Sequence, residues 1–114
     1  MRIKLDENAY MPTRAHETDA GLDLYSPVDA VVPAKDSVFI DTGVHIELFC
    51  EGGICEVGMI KSKSGLNVKH GIVSEGVIDA GYTGSIGIKL YNHSNEHYRV
   101  KRGDKISQYA LLYQ

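Results

Sequence analysis

The sequence predicts an all-β fold, of the sandwich, jelly-roll or distorted-barrel type, with at most one short helical turn. About ten short segments alternate apolar and polar residues, as half-buried strands do. Gly, Pro, Asn or Asp separates most of these segments from one another. No long stretch keeps the helical period of apolar residues. Residues 1–114 are therefore expected to form one domain of the sandwich, jelly-roll or barrel type.

The first half of the chain carries the clearest strand patterns. Val44, Ile46 and Leu48 alternate with His45 and Glu47, which predicts a half-buried strand with the histidine on its outer face. The sequence Glu-Gly-Gly at residues 51–53 then predicts a turn. By the same criteria, strands are predicted at residues 2–5, 22–25, 31–32, 37–40, 44–48 and 54–60.

The second half contains the one helical candidate and a predicted hairpin. Residues 65–69 can form a short helical turn. In residues 76–92, Val77 and Ile78 end one strand pattern, two glycines follow within residues 80–84, and alternation resumes from Ile86. This arrangement predicts a β-hairpin. Further strand patterns lie at residues 72–73, 98–101 and 106–113.

Composition excludes some classes of partner. The 114 residues include 12 Lys plus Arg and 15 Asp plus Glu, for a net charge of −3. This balance provides no overall basic field toward a nucleic-acid backbone or an anionic membrane, so neither is an expected partner. The N-terminal decapeptide lacks the apolar core of a signal peptide, and no later segment has the length of a membrane span. A cytoplasmic location is the default expectation.

Neither the cysteines nor the histidines form a metal-binding pattern. Cys50 and Cys55 have no histidine nearby, so zinc is disfavoured, and two cysteines are not a disulfide framework. Both are expected to be packed thiols in a reducing compartment. The five histidines are scattered, and they are expected at the surface.

Asp79 lies where the first hairpin strand enters the turn. A carboxylate at a strand end, close to glycines that allow a ligand to approach, can orient a water molecule. It can equally be a turn residue that bonds only to its own backbone. The segment alone leaves both readings open.

Three further segments contain residues suited to phosphate chemistry. Residues 61–66, Lys-Ser-Lys-Ser-Gly-Leu, combine two lysines with small residues whose amides can cradle an anion, although a solvated basic loop is the alternative. Asp23 interrupts an apolar strand and needs a partner, most simply a structural salt bridge. Gln108 lies beyond the Arg102–Asp104 turn and can donate a hydrogen bond to a phosphate oxygen.

Together the four segments resemble, in order and spacing, the first four of the five motifs of the trimeric, all-β dUTPase family. Residues 20–26 resemble the first motif, 63–66 the second, 76–84 the third and 102–108 the fourth. The third, Gly-Val-Ile-Asp followed by Gly and Tyr, is the most diagnostic. The resemblance implies a distorted, jelly-roll-like β-barrel of the β-clip type, a homotrimer and active sites at subunit boundaries.

The resemblance also implies a reaction, in which dUTP and water give dUMP and pyrophosphate with Mg²⁺ on the triphosphate. Asp79 would hold and help deprotonate the attacking water. Ser64, Gly65 and Gln108 would bind phosphates and stabilise charge on the leaving pyrophosphate. Lys63 would add a phosphate contact where the family usually has arginine. Mg²⁺ would be held mainly by phosphates and water, with no dedicated protein ligands.

Recognition of the nucleoside is implied for the predicted hairpin. Main-chain groups at Gly76 and Gly87 match the family positions that pair with the uracil edge, and Ile78 belongs to the same site. The narrow slot between the strands would leave no room for a 5-methyl group. Tyr82 would lie against the deoxyribose, so that a 2′-hydroxyl clashes. Asp23 would support the site without contacting the base.

Two alternatives follow from departures from the family pattern. The fifth motif, a Gly- and Ser-rich arm, has no counterpart before Gln114, so a nucleotide-binding or regulatory module that has lost turnover is one alternative. A dCTP deaminase, or a bifunctional relative of the same fold, is the other. It would need a glutamate base near the hairpin, and Glu75 is the candidate.

Overall fold

A computed structural model describes residues 1–113, with the side chain of Tyr113 excepted. It contains twelve strands and one helix. The strands are β1 (Arg2–Leu5), β2 (Gly21–Tyr25), β3 (Ala30–Val32), β4 (Ser37–Asp41), β5 (Val44–Glu47), β6 (Cys50–Glu51), β7 (Ile54–Ser62), β8 (Ile72–Val73), β9 (Gly76–Ile78), β10 (Gly87–Asn92), β11 (Tyr98–Val100) and β12 (Lys105–Tyr113). The helix is α1 (Ser64–His70). The all-β prediction is confirmed, and the helix is slightly longer than the predicted turn.

The strands form four small sheets, and all the strand pairs are antiparallel. The largest has the order β2-β12-β7-β6, with β9 also paired to β7. The others are β4-β10-β8, β1-β5 and β11-β3. Within residues 1–113 these sheets do not join into one closed barrel, and their arrangement is consistent with the predicted jelly-roll-like fold. Between the sheets lies a core of aliphatic side chains and one tyrosine, including Leu24, Val32, Ile40, Ile46, Ile60, Ile88, Leu90, Ile106 and Tyr109.

The longest ladder, β12 on β7, is aligned by one close contact. Tyr109 is 1% exposed, and its ring occupies the space that a β-carbon on Gly58 would need. Any larger residue at position 58 would push the tyrosine out of the core. Burial, and secondarily the charge of Glu56, raises the pKa of the Tyr109 hydroxyl to about 12. In the same ladder Gln108 lies opposite Lys61.

The hairpin prediction is wrong about strand pairing, because β9 and β10 separate and pair with other strands. β8 begins an antiparallel ladder with β10, in which Val73 faces Tyr91. Three residues further along each strand, this register would place Gly76 opposite Ile88. Instead β9 pairs with β7, so that Gly76 faces Ile60, while β10 continues along β4. The chain therefore forms a fork between β9 and β10, and not a closed ladder.

The cysteine prediction is also wrong. Cys50 and Cys55 face each other across β6 and β7 and form a disulfide. The two-residue turn at Gly52 and Gly53, both with positive φ, folds the chain back tightly enough to bring the thiols together. Among residues 1–113, no helix has the length and apolar character needed to cross a membrane.

Candidate active site

Asp23, Lys63 and Lys105 form a compact charged group, which we call the lysine cluster. Asp23 is on β2 and only 6% exposed. Lys63 Nζ lies 2.9 Å from Asp23 Oδ1, and Lys105 Nζ lies 3.3 Å from Oδ2. Burial acts to raise the pKa of Asp23, but the hydrogen bonds and charges of the two lysines outweigh it and hold that pKa below 3.8. The salt bridge predicted for Asp23 is confirmed.

Gln108 lies beside this cluster on the central strand of the largest sheet. On β12 it faces Asp23 of β2 on one side and Lys61 of β7 on the other. Its Nε2 donates to the Ser62 carbonyl at 2.9 Å. The neighbouring Ser107 hydroxyl donates to the Lys61 carbonyl at 2.8 Å. These bonds hold the end of β7, and therefore the start of α1, against the strand that carries Gln108.

The beginning of α1 presents unpaired backbone donors. Lys63 is the N-cap with an extended backbone, and its side chain does not cap the helix. The first intrahelical bond runs from Asn67 N to Lys63 O at 3.0 Å, so the amides of Ser64, Gly65 and Leu66 have no acceptor within the helix. No acidic residue occupies the first turn. Ser64 and Gly65 are exposed, which leaves their amides accessible to an anion.

Asp79 lies outside this region, in residues 79–85, which we call the Asp79 loop. The side chain is exposed. Its backbone carbonyl accepts a hydrogen bond from Tyr82 N at 3.0 Å. Within residues 1–113 the carboxylate makes no hydrogen bond or ion pair. The alternative reading, a turn residue whose carboxylate bonds its own backbone, therefore has no support in the contacts of Asp79.

Tyr82 closes the same loop on itself. Its hydroxyl donates to the Ser85 carbonyl at 2.6 Å, and its ring lies where a β-carbon on Gly84 would come within 2.7 Å of Cζ. Glycine at position 84 is therefore required for this ring position. The ring remains 44% exposed, so one face is available to a ligand.

The fork places backbone groups from two sheets at its edges. Gly76 and Ile78 are paired with β7 along one edge of β9. Gly87 is paired with Asp41 of β4. The Phe39 ring lies directly over Gly87 and leaves no room for a β-carbon there, whereas a β-carbon on Gly76 would make only ordinary contact with Ile60 at 3.6 Å. Glycine at position 87 is thus needed for this position of the exposed Phe39 ring, whereas position 76 has no such restriction.

The predicted catalytic residues fall into two groups that one chain does not bring together. Gln108 and Ile78 lie on opposite edges of β7, facing Lys61 and Gly58 respectively. Asp79 continues beyond Ile78, away from Gln108. At ~3.3 Å per residue and ~4.8 Å between strands, Asp79 and Gln108 are roughly 15 Å apart. A side chain cannot span that distance, so water activation and phosphate binding would occur at separate places on one chain.

Three contacts were missed by the sequence analysis. Lys105 is the second partner of Asp23. It lies next to a bulge in β12, between Lys105 and Ser107, that no local sequence pattern predicts. Lys61, one of the two lysines in the segment predicted to bind an anion, forms a salt bridge with Glu75 at 2.9 Å. His45 is not a free surface histidine, because both of its ring nitrogens are within hydrogen-bond distance of acceptors.

Comparison with known proteins gives one consistent family. The profile of the family described as dUTPase matches residues 7–113. The chain is 40% identical over 111 residues to the deoxyuridine 5′-triphosphate nucleotidohydrolase of Clostridium acetobutylicum, covering 95% of this chain and 74% of that one. It is 41% identical over 113 residues to the same-named protein of Eremothecium gossypii, covering 97% and 71%.

Solved structures agree with the sequence matches. A mutant dUTPase from phage phi11 of S. aureus, whose study concerns coordination of a structural Mg(II) ion, superimposes with a TM-score of 0.85 at 31% identity, covering 97% of this chain and 88% of that one. The Staphylococcus bacteriophage 80alpha dUTPase with dUPNHPP has a TM-score of 0.85 at 30% identity, covering 97% and 80%. The four motif segments all lie within residues 7–113, the range that the family profile matches.

Proposed function

The chain belongs to the dUTPase family, whose reaction is the hydrolysis of dUTP to dUMP and pyrophosphate, and we propose that in this reaction Asp79 orients the attacking water. The observation that carries the activity is the family match over residues 7–113, which includes all four motif segments. The names of the relatives support dUTP diphosphatase as the activity of this chain. The residue roles below are our proposal.

The exposed carboxylate of Asp79, which has no partner among residues 1–113, suits a general base. A water held by Asp79 would attack the α-phosphorus, and the carboxylate would accept its proton as the phosphorus–oxygen bond forms. The bond to the leaving pyrophosphate breaks on the opposite side. Because the carboxylate makes no ion pair with the residues that the structure describes, it can bind a water molecule without breaking a contact to them.

The start of α1 and Gln108 would bind the phosphates. The amides of Ser64 and Gly65 lack intrahelical acceptors, and Gln108 and Lys63 lie beside them. Lys63 uses one donor on Asp23 and has two more for phosphate oxygens. Asp23 would hold this ammonium in place without contacting the substrate. These donors would stabilise the negative charge that develops on pyrophosphate.

Mg²⁺ fits this arrangement when the substrate supplies most of its ligands. No group of three or more His, Cys, Asp or Glu side chains that could hold a metal occurs among residues 1–113, and Asp23 is engaged by two lysines. Phosphate oxygens and waters are the ligands that Mg²⁺ commonly takes with nucleotides. Bound to the triphosphate, the ion would supply Lewis acidity at the phosphates.

The fork would recognise the nucleoside. Backbone groups of Gly76, Ile78 and Gly87 border the fork and can pair with the uracil edge, since β9 and β10 do not pair with each other there. A fork too narrow for a 5-methyl group would reject thymine. Tyr82, anchored through its hydroxyl to Ser85, would pack on the deoxyribose and clash with a 2′-hydroxyl.

A homotrimer would complete the site by combining two chains at each boundary. The estimated separation of Asp79 from Gln108 supports this, because the base of one chain must then act beside the phosphate donors of another. Mixing an Asp79→Asn chain with a Gln108→Ala chain tests it. Mixed oligomers should regain activity that neither variant has alone, and no regain after subunit exchange, verified by mass, would contradict shared sites.

The contacts of Glu75 weaken the deaminase alternative. Its side chain is 75% exposed and paired with Lys61 at 2.9 Å, and the Lys61 hydrogen bond and charge lower the pKa of Glu75. A carboxylate of lowered pKa is a weaker general base. The nucleotide-binding module without turnover has no specific contact in its favour. We further propose a cytoplasmic location.

Pyrophosphate release from dUTP, dCTP, dTTP and UTP, each with and without Mg²⁺, tests the proposed function. We expect release from dUTP with Mg²⁺ and little release from the other three. Ammonia release from dCTP would favour the deaminase. Calorimetric binding of dUTP without pyrophosphate release would favour the regulatory module, and absence of both binding and release would overturn the proposal.

A further inference from the structure

His45 joins the Asp79 loop to the chain segment that follows β1. The imidazole Nδ1 lies 2.9 Å from the Thr83 carbonyl oxygen, and Nε2 lies 2.9 Å from Asp6 Oδ1. The side chain is 26% exposed. Residues 45, 83 and 6 are far apart in sequence, so this three-way contact exists only because the strands fold together.

Both partners of this imidazole are acceptors. A backbone carbonyl and a carboxylate each require an N–H from the ring, but a neutral histidine carries only one. Both contacts can therefore be hydrogen bonds only when His45 is the imidazolium. When the ring loses a proton, one of the two contacts becomes an acceptor facing an acceptor. The geometry thus selects the charged form.

The charge balance around the ring favours the same form. The Thr83 carbonyl first, and the Asp6 carboxylate second, raise the pKa of His45 above its ordinary value of 6.5, while partial burial and Lys4 oppose them. With a raised pKa, the double contact is complete at pH values below 6.5 and is lost as the pH rises through the pKa of folded His45.

The remaining charged groups near the ring are partly neutralised by one another. Arg2 and Lys4 of β1 and Glu47 of β5 line the same groove as His45 and Thr83, and Arg2 lies 3.9 Å from Glu47. Asp41, the last residue of β4, is a further nearby carboxylate, and its pKa is lowered mainly by the Ser85 hydroxyl. Asp6 is therefore the carboxylate that bonds the ring directly.

The Thr83 contact fixes the loop that carries the proposed catalytic base. Tyr82 N bonds back to the Asp79 carbonyl, and the Tyr82 hydroxyl bonds forward to the Ser85 carbonyl. The Ser85 hydroxyl donates to Asp41. Thr83 lies in the middle of this run, where its carbonyl is held by His45. Losing that bond leaves the centre of the loop without its side-chain anchor.

We propose that His45 is a positioning residue, which as the imidazolium holds the Thr83 carbonyl and so keeps Asp79 and Tyr82 in their working places. On deprotonation the remaining N–H stays with the Asp6 carboxylate, which is a stronger acceptor than a neutral carbonyl, so the Thr83 bond is lost and the loop is released. The catalytic consequence rests on the proposed function, whereas the pH-dependent anchoring of the loop does not. His45 touches neither the substrate nor the reacting atoms in this scheme.

An NMR titration tests the anchoring without any substrate. In the unaltered protein, the backbone amides of residues 83–85 should shift with the same midpoint as the His45 ring. Asp6→Asn, which removes the charge but keeps an acceptor, should move that midpoint to lower pH. His45→Gln should abolish the loop titration. His16→Gln, at an exposed histidine, is the matched control and should change neither.

Activity tests the catalytic consequence. At about pH 6, His45→Gln should lower kcat roughly tenfold with a smaller change in KM, because a small displacement of a catalytic group is costly. The ratio of unaltered to variant kcat should shrink toward one at about pH 9, where the native ring is neutral. In the Asp6→Asn chain, the decline in kcat that follows deprotonation of His45 should begin at a lower pH.

Two results would overturn the inference. One is a kcat ratio that does not change with pH, and the other is a set of loop amides that do not follow the His45 midpoint. If the chain releases no pyrophosphate from any nucleotide, the proposed function fails, and the NMR titration still decides whether His45 anchors the loop.

Discussion

The lysine cluster and the Asp79 loop represent two ways of holding a carboxylate. Asp23 is buried on a paired strand, with two ammonium groups that keep it ionised and fixed. Asp79 is exposed in a loop, and only the backbone and side chains around it are anchored. A carboxylate that positions other groups is held ionised and in place by such partners, whereas a general base must keep its lone pairs free for water. The difference predicts separate consequences for mutation in the two regions.

The largest expected effect is on turnover at the Asp79 loop. Asp79→Asn should lower kcat by about 10²- to 10⁴-fold, because it removes the base while keeping the shape of the side chain. Affinity for dUTP, measured by calorimetry, should stay within about tenfold. Glu17→Gln, at an exposed acid, serves as the control. Undiminished turnover of the Asp79→Asn chain would remove this residue from the mechanism.

The lysine cluster should respond in both activity and stability. Lys63→Ala should lower kcat/KM roughly 10- to 100-fold through lost charge at the phosphates. It should also reduce the free energy of unfolding by about 1–2 kcal/mol, since Asp23 keeps only Lys105. Lys63→Arg should preserve most of both, and Lys69→Ala, an exposed lysine of α1, should change neither. A loss of stability alone would show that Lys63 has a structural role only.

A smaller effect concerns the choice of sugar. Tyr82→Ala should raise the efficiency with UTP relative to dUTP by roughly three- to tenfold, because the proposed gate acts by excluding the 2′-hydroxyl. Tyr82→Phe keeps the ring but loses the bond to Ser85, and it should retain the preference for dUTP. If Tyr82→Ala leaves the preference unchanged in steady-state assays, the ring does not contact the sugar.

The smallest effect is the acid dependence of stability at Asp23. Its pKa in the folded chain lies below 3.8, so its contribution is complete above the unfolded value and is lost as the pH falls through the folded one. Asp23→Asn should cost about 1–2 kcal/mol at neutral pH, and this difference should narrow below about pH 4. Urea unfolding measures it, with Glu7→Gln as control. A difference independent of pH would mean that the side-chain charge is not what stabilises Asp23.

The pairing of the predicted hairpin strands and the disulfide both depend on contacts that local sequence patterns do not specify. Val77 and Ile78 do form a strand, and so do the residues from Gly87 onward, as their alternation indicated. The pairing of strands depends on which strand edges come together in the folded chain. β9 pairs with β7, a partner that no local sequence pattern reveals. The two cysteines likewise depend on the cross-strand register of a short turn.

By itself, the sequence determined the all-β class, the positions of nearly all the strands, the four motif segments and the need of Asp23 for a partner. Those features follow from side-chain periodicity, turn chemistry and the cost of burying a charge, all of which are local. Only the tertiary structure decided the fork between β9 and β10, the second lysine on Asp23, the separation of Asp79 from Gln108 and the double contact of His45. Each of these depends on strands distant in the sequence meeting in a particular register, and that register is set by the packing of the whole core.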